Sequence, residues 1–114
     1  MSSRYQSIST SQEYAGAVAQ SRSEPVLIYK HSTMCELCTW AKRNIQQLSK
    51  TDNLPVYEVA VQTARPLSNA IEQALGIRHE SPQGILLSDE TPIFNASHRK
   101  LTKQALRGAL KQQT

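Results

Sequence analysis

The chain alternates short contiguous apolar runs with longer stretches in which apolar residues recur every three or four positions. After a polar start of eight residues, Thr10-Ser11-Gln12-Glu13 has the form of a capping box, with the Thr10 hydroxyl and the Glu13 carboxylate satisfying opposite orphan amides. Tyr14, Ala17 and Val18 supply a short stripe before the polar Ser21-Arg22-Ser23-Glu24, so a helix is predicted near 11–20. Pro25-Val26-Leu27-Ile28-Tyr29-Lys30 is contiguous and rich in β-branched and aliphatic residues, which suits a strand buried on both faces. Leu37, Ala41, Ile45 and Leu48 then fall on one helical face, with Lys42, Arg43, Gln46 and Gln47 largely opposite. That helix is predicted to end near Ser49 or Lys50, before the turn residues Thr51-Asp52-Asn53.

Pro55-Val56-Tyr57-Glu58-Val59-Ala60-Val61 reads as a second buried strand. Pro66 suits the first turn of a helix whose stripe is Leu67, Ala70, Ile71, Ala74 and Leu75, with Gly76 placed for a left-handed C-cap. Strands joined through a helix imply a parallel crossover. Ile85-Leu86-Leu87 and Pro92-Ile93-Phe94 stand so close across Ser88-Asp89-Glu90 that only an antiparallel hairpin joins them. Thr102 caps a last helix with Leu101, Ala105, Leu106, Ala109 and Leu110 on one face. The predicted order is α-β-α-β-α-β-β-α: an α/β chain with a four-stranded mixed sheet flanked by helices, one domain over 1–114 with residues 1–8 a flexible end.

The formal charge of +4 comes from Lys and Arg spread along the chain with a mild excess at its end. No basic block is interleaved with aromatics, which argues against a nucleic-acid partner. No apolar run approaches the ~18 residues of a membrane span, and Met1-Ser2-Ser3-Arg4-Tyr5-Gln6 lacks the apolar core of a secretory signal. The expectation is a cytoplasmic protein, where ordinary cysteines stay reduced and closely spaced ones serve catalysis or metal binding.

Cys35 and Cys38 are the only cysteines. A tetrahedral zinc site needs further ligands, and His31, His79 and His98 are scattered, so redox chemistry is the better reading and no metal site is assigned. Zinc or an iron–sulfur cluster shared between two chains is a weaker alternative, and two inert buried thiols another. At the junction of a buried strand and a helix, Cys35 falls at the N-cap or first turn, where free amides and the helix dipole favour its thiolate. Cys35 is then the attacking residue in thiol–disulfide exchange and Cys38, one turn deeper, the resolving one. Lys30, His31, Thr33 and Met34 lie on the approach and are expected to line the substrate site. Ser81-Pro82 stands just before a strand, where the proline either simply starts that strand through a trans bond or, in a cis loop, faces the cysteines and offers Ser81's amide and carbonyl to an extended substrate.

His31-Ser32-Thr33 followed by Cys35, Arg65-Pro66-Leu67-Ser68-Asn69, Arg78-His79-Glu80-Ser81-Pro82-Gln83, Asn95-Ala96-Ser97-His98 and Leu101-Thr102 resemble the bacilliredoxin-like, bacillithiol-system (YtxJ-like) family. The resemblance covers nearly the whole chain; its His-Glu-Ser-Pro-Gln and His-Ser-Thr blocks are specific, whereas CxxC alone is not. It implies a thioredoxin-like fold, a cis proline at Pro82, and a Cys35 that takes bacillithiol from protein mixed disulfides. Bacillithiol is then a thiol co-substrate, no cofactor is bound, and the partners are S-thiolated client proteins and the small thiol, met by a monomer without nucleic acid or membrane. Two departures stand out. Cys38 occupies a position where members often carry another residue, which opens a dithiol cycle and a runner-up function as a general glutaredoxin- or thioredoxin-like disulfide reductase. Arg99-Lys100 stands where an aromatic is familiar. His79 and His98 are read as holding the fold together rather than touching substrate.

Overall fold

Val26, Leu27, Ile28 and Tyr29 point alternately to the two sides of a sheet, and all six residues of the strand they build, β2 (Val26–His31), are buried. In the computed structural model, which describes residues 4–112, β2 is the central strand. On one side it pairs in parallel with β3 (Val56–Ala60), Leu27 opposite Val56 and His31 opposite Ala60. On the other it pairs antiparallel with β4 (Gln83–Ser88), which forms a hairpin with β5 (Thr91–Ser97). Asp89 and Glu90 turn the hairpin with left-handed φ of 52° and 65°. The Ser21 carbonyl and hydroxyl hold them, accepting from the amides of Asp89 and Glu90 at 2.7 and 2.8 Å.

Helices α1 (Ser11–Gln20) and α3 (Arg65–Leu75) cover one face, and α2 (Glu36–Asp52) and α4 (Lys103–Lys111) the other. The first core gathers Val26, Ile28, Ile85 and Leu87 against Ala17, Leu67 and Ile71. The second gathers Leu27, Tyr29 and Leu86 against Ala41, Ile45, Leu48 and Leu106. Gly84 makes the second core close: a Cβ there would sit 2.7 Å from a methyl of Leu101 and 3.3 Å from one of Leu27. A single helical turn, His98–Lys100, links β5 to α4. The α/β, thioredoxin-like architecture follows from these layers and this order. No helix among the described residues is long and apolar enough to cross a membrane.

Several details differ from the sequence expectation. The sheet has five strands rather than four, in the order β1-β3-β2-β4-β5. Residues 5–7, expected to be part of a flexible end, form the edge strand β1 (Tyr5–Ser7), parallel to β3. Residues 1–3 of that expected end lie outside the described residues. Three residues with no apolar alternation carry no strand signal, and what fixes them is their partners. The Arg4 guanidinium donates to both carboxylate oxygens of Glu24 at 2.7 Å, Val56 N–H donates to Arg4 O, the Tyr5 hydroxyl reaches the Glu58 carboxylate, and Ile8 is buried. Helix α2 continues through Thr51 and Asp52 to a left-handed Asn53, because Arg107 of α4 donates to the Asp52 carboxylate and holds the last turn.

Candidate active site

Cys35 is the N-cap of α2, with extended backbone (φ −133°, ψ 119°), and its sulfur accepts the Cys38 amide at 3.2 Å. A cysteine in this place does what Ser or Asp does at an N-cap, except that the acceptor is a sulfur whose charge the amides stabilise. The Cys35 thiol is held below its ordinary pKa, chiefly because the Cys38 thiol donates to it, then through the backbone amides of Cys38 and Leu37; partial burial and Glu36 oppose this. Cys38 is fully buried. Burial pushes its thiol up to about 11, and the neighbouring Cys35 adds to that, while the nearby Ser32 amide and Ser81 hydroxyl pull the other way. Both thiols are free. The arrangement is an exposed-side thiol poised towards thiolate, with a protonated thiol directly behind it.

The strand beneath supplies a polar floor. The Tyr29 hydroxyl donates to the Cys38 carbonyl at 2.9 Å and lies 2.8 Å from Nδ1 of His31. With its only proton given to the carbonyl, Tyr29 accepts from His31, so Nδ1 is the protonated nitrogen of that ring. Burial raises the Tyr29 hydroxyl above, and lowers the His31 ring below, their ordinary values, so both are neutral near pH 7.

The approach residues separate. Met34 is 86% exposed beside Cys35 and Thr33 is exposed, its amide 3.4 Å from Oε1 of Gln62. Gln62 Nε2 also donates to Ser32 Oγ at 2.7 Å, tying the loop before Cys35 to the end of β3. His31, by contrast, is buried under α2. Lys30 departs furthest from expectation. It is fully buried and shares the face of Ile28, on the side of the sheet away from α2, where its ammonium donates to Ser68 O at 3.0 Å and to His79 Nδ1 at 3.3 Å. Alternation along β2 sends Tyr29 and His31 towards α2 and Lys30 to the opposite layer, so Lys30 does not line the thiol site. Burial lowers both the Lys30 ammonium and the His79 imidazolium below their ordinary values.

The Ser81–Pro82 peptide is cis, and the loop that carries it is held from three sides. Glu72 accepts the His79 amide at 2.7 Å, the Gln83 side chain donates to Arg78 O at 2.8 Å, and the His98 amide donates to Pro82 O at 2.9 Å. His98 also faces Glu80, 3.3 Å away. These contacts bring Ser81 to the sulfur of Cys38. Among the described residues no group of three or more His, Cys, Asp or Glu comes together to hold a metal ion. Tyr29 and Gln62 are the site residues that sequence reasoning missed. Strand alternation marks Tyr29, two residues from His31, whereas nothing in the sequence marks Gln62.

A family model described as "Monothiol bacilliredoxin BrxC" matches residues 6–106. Among solved structures, a putative oxidoreductase with a thioredoxin fold superposes with a TM-score of 0.86 at 22% identity, covering 92% of each chain. The thioredoxin of Malassezia sympodialis (Mala s 13) superposes at 0.75 with 21% identity over 96% of this chain and 90% of that one. A mutant thioredoxin from Halobacterium salinarum NRC-1 does so at 0.77 with 17% identity over 98% and 93%. At these identities the likeness to solved structures concerns the fold.

Proposed function

We propose that this chain, which belongs to the monothiol bacilliredoxin (BrxC) family and is a thiol–disulfide oxidoreductase of thioredoxin fold, removes bacillithiol from protein mixed disulfides through Cys35. The observation that carries the reading is the pairing of a lowered Cys35 thiol at the α2 N-cap with a raised, buried Cys38 thiol behind it. The Cys35 thiolate attacks the bacillithiol sulfur of protein–S–S–bacillithiol. A Cys35–bacillithiol disulfide forms, the old S–S bond breaks, and the client leaves as a thiolate that takes a proton from solvent. Exposed Met34 offers an apolar contact beside the attacking sulfur. The Ser81–Pro82 loop presents backbone groups for an extended client strand.

The second half of the cycle has two routes. In one, a second bacillithiol attacks the Cys35 adduct and leaves as bacillithiol disulfide, restoring the Cys35 thiolate. In the other, the Cys38 thiolate attacks Cys35, expels bacillithiol, and leaves a Cys35–Cys38 disulfide that an external dithiol reduces. The Cys38 amide bonded to the Cys35 sulfur, which sets Cys38 one turn behind it, favours the second route in this chain. Once Cys35 is in a mixed disulfide its negative charge is gone, and with it one of the causes that hold the Cys38 proton on. That route also serves a general disulfide reductase, which is the second reading.

The test is a set of one client protein carrying bacillithiol, glutathione or an intramolecular disulfide, offered to wild type, Cys35→Ser and Cys38→Ser. The reading predicts no turnover by Cys35→Ser and a bacillithiol adduct trapped on Cys35 in Cys38→Ser, detected by intact-mass spectrometry. Full activity in Cys35→Ser overturns it. Equal rates on all three substrates favour the general reductase.

A further inference from the structure

Outside residues 98–111 the chain carries eight Lys or Arg against nine Asp or Glu, so its entire positive excess lies in that one segment. The segment holds five Lys or Arg, together with His98, and no acid. The fold lays it along one groove. At the active-site end a hollow of about 530 Å³ opens between Leu37 of α2 and the turn bearing Arg99 and Lys100. Further along, a second hollow of about 580 Å³ lies between Trp40 of α2 and Lys103, Arg107 and Gly108 of α4. Leu37 and Trp40 are neighbours one turn apart on the same helix, and Lys100 and Lys103 face them from the other wall, so the hollows adjoin. No acidic side chain lines either one.

The groove starts beside the thiol site. Leu37, in the first hollow, is two residues from Cys35 on α2, and His98, in the same hollow, donates its amide to Pro82 O of the cis loop. Its far wall is braced, with Lys103 donating to Gln47 at 2.8 Å and Arg107 to Asp52 at 3.0 Å. At the near end, neither the Arg99 nor the Lys100 side chain has a hydrogen-bond or ion-pair partner among the described residues. Trp40, 40% exposed, offers an aromatic face between the two ends, and Gly108 leaves the wall open, since a Cβ there would meet nothing within 4 Å.

We infer that this groove holds an acidic stretch of the client polypeptide, running away from the disulfide presented to Cys35. The inference rests on the reading that the substrates are proteins. α4 from Lys103 to Lys111 is about 12 Å long at ~1.5 Å per residue. That length takes about four residues of extended chain at ~3.3 Å each. Two adjoining hollows in line fit an extended peptide, whereas a small anionic thiol would fill only the first. Cations along the rim favour encounter with acidic partners and disfavour basic ones.

Trp40 is the sole tryptophan and reports on the groove directly. The experiment titrates the whole protein with an Asp/Glu-rich peptide in which serine replaces the cysteine, and with a neutral peptide of the same length. Trp40 emission is followed, and calorimetry provides a second measure. The expected result is saturable binding of the acidic peptide alone, weakened about tenfold in Arg99→Glu/Lys100→Glu and weakened progressively by salt. Equal binding of both peptides, no binding by either measure, tighter binding of a single-stranded oligonucleotide, or saturation of the same site by free bacillithiol at the same concentration overturns the inference. No redox step enters the titration, so its outcome stands apart from that of the de-thiolation assay.

Discussion

The Tyr29 hydroxyl donates to the carbonyl of Cys38 at 2.9 Å, from the strand beneath to the first turn of the helix above. This bond ties the backbone that carries the buried thiol to the middle of the sheet, and His31 completes it from the same face. Tyr29→Phe keeps the ring and removes the donor, leaving His31 Nδ1–H without its acceptor. The expected cost is about 1–2 kcal/mol of stability by urea unfolding. A second readout is faster alkylation of Cys38 in the folded protein, because the first turn of α2 loses its lower anchor. An unchanged Cys38 alkylation rate would show that helix packing alone fixes that turn.

The largest cause of the low Cys35 pKa is the Cys38 thiol that donates to it. Cys38→Ala removes that donor, so the Cys35 pKa should rise and its alkylation at neutral pH should slow several-fold. Cys38→Ser retains a donor and should lie between Cys38→Ala and wild type. The pH dependence of thiolate ultraviolet absorbance reads this directly. In wild type a first step, from Cys35, falls below that of an ordinary thiol, and a second, from Cys38, lies up at about 11. An unshifted first step in Cys38→Ala would assign the effect to the backbone amides and the helix dipole instead.

Much of the architecture was legible because burial on one face imposes a period. The run Val26-Leu27-Ile28-Tyr29 could only be a doubly buried strand, and Ala41, Ile45 and Leu48 do lie in one core under α2. The capping box at Thr10 and Glu13 and the left-handed cap at Gly76 are local patterns with local causes, and both are present. Strand β1 was not legible, because its stability comes from Glu58, Glu24 and the backbone of β3 rather than from its own residues. Lys30 was misplaced by proximity in sequence. It is five residues from Cys35, but alternation along β2 puts it in the opposite layer, and applying the two-residue period to the whole strand would have shown this. The loop contacts of Gln62 depend on the ends of β2 and β3 lying side by side in the sheet and leave no mark in either stretch.

Lys30 makes a pH prediction whose sign is fixed. Burial lowers the pKa of its ammonium in the folded state. Between that lowered value and the unfolded value of about 10.4 the unfolded chain binds more protons, so this group makes stability rise with pH across that window. Below the folded pKa the cost of burying the charge is present in full. Lys30→Met keeps the length and removes the titration. The stability of wild type relative to Lys30→Met should therefore increase as pH climbs towards about 10.4, by at most ~1.4 kcal/mol per unit. A decrease over the same range would mean that the attraction of Glu72, which opposes burial, outweighs it.

Ser81 separates the two halves of the proposed cycle. Its hydroxyl lies close enough to the Cys38 sulfur to lower the pKa of that thiol against the larger effect of burial. It is not among the groups that act on Cys35. Ser81→Ala should therefore raise the Cys38 pKa further and slow the step in which Cys38 attacks the Cys35 adduct, by about the several-fold to tenfold that one lost hydrogen bond of ~1 kcal/mol implies. The first attack by Cys35 should be nearly unchanged, so the Cys35–bacillithiol adduct should accumulate in single-turnover experiments quenched with acid. Restoring the rate at higher pH would identify deprotonation of Cys38 as the affected step. A variant that slows both steps equally would instead show that Ser81 acts by placing the substrate through the Pro82 loop. Such a variant would also remain slow at every pH, because placement of the chain does not titrate with Cys38.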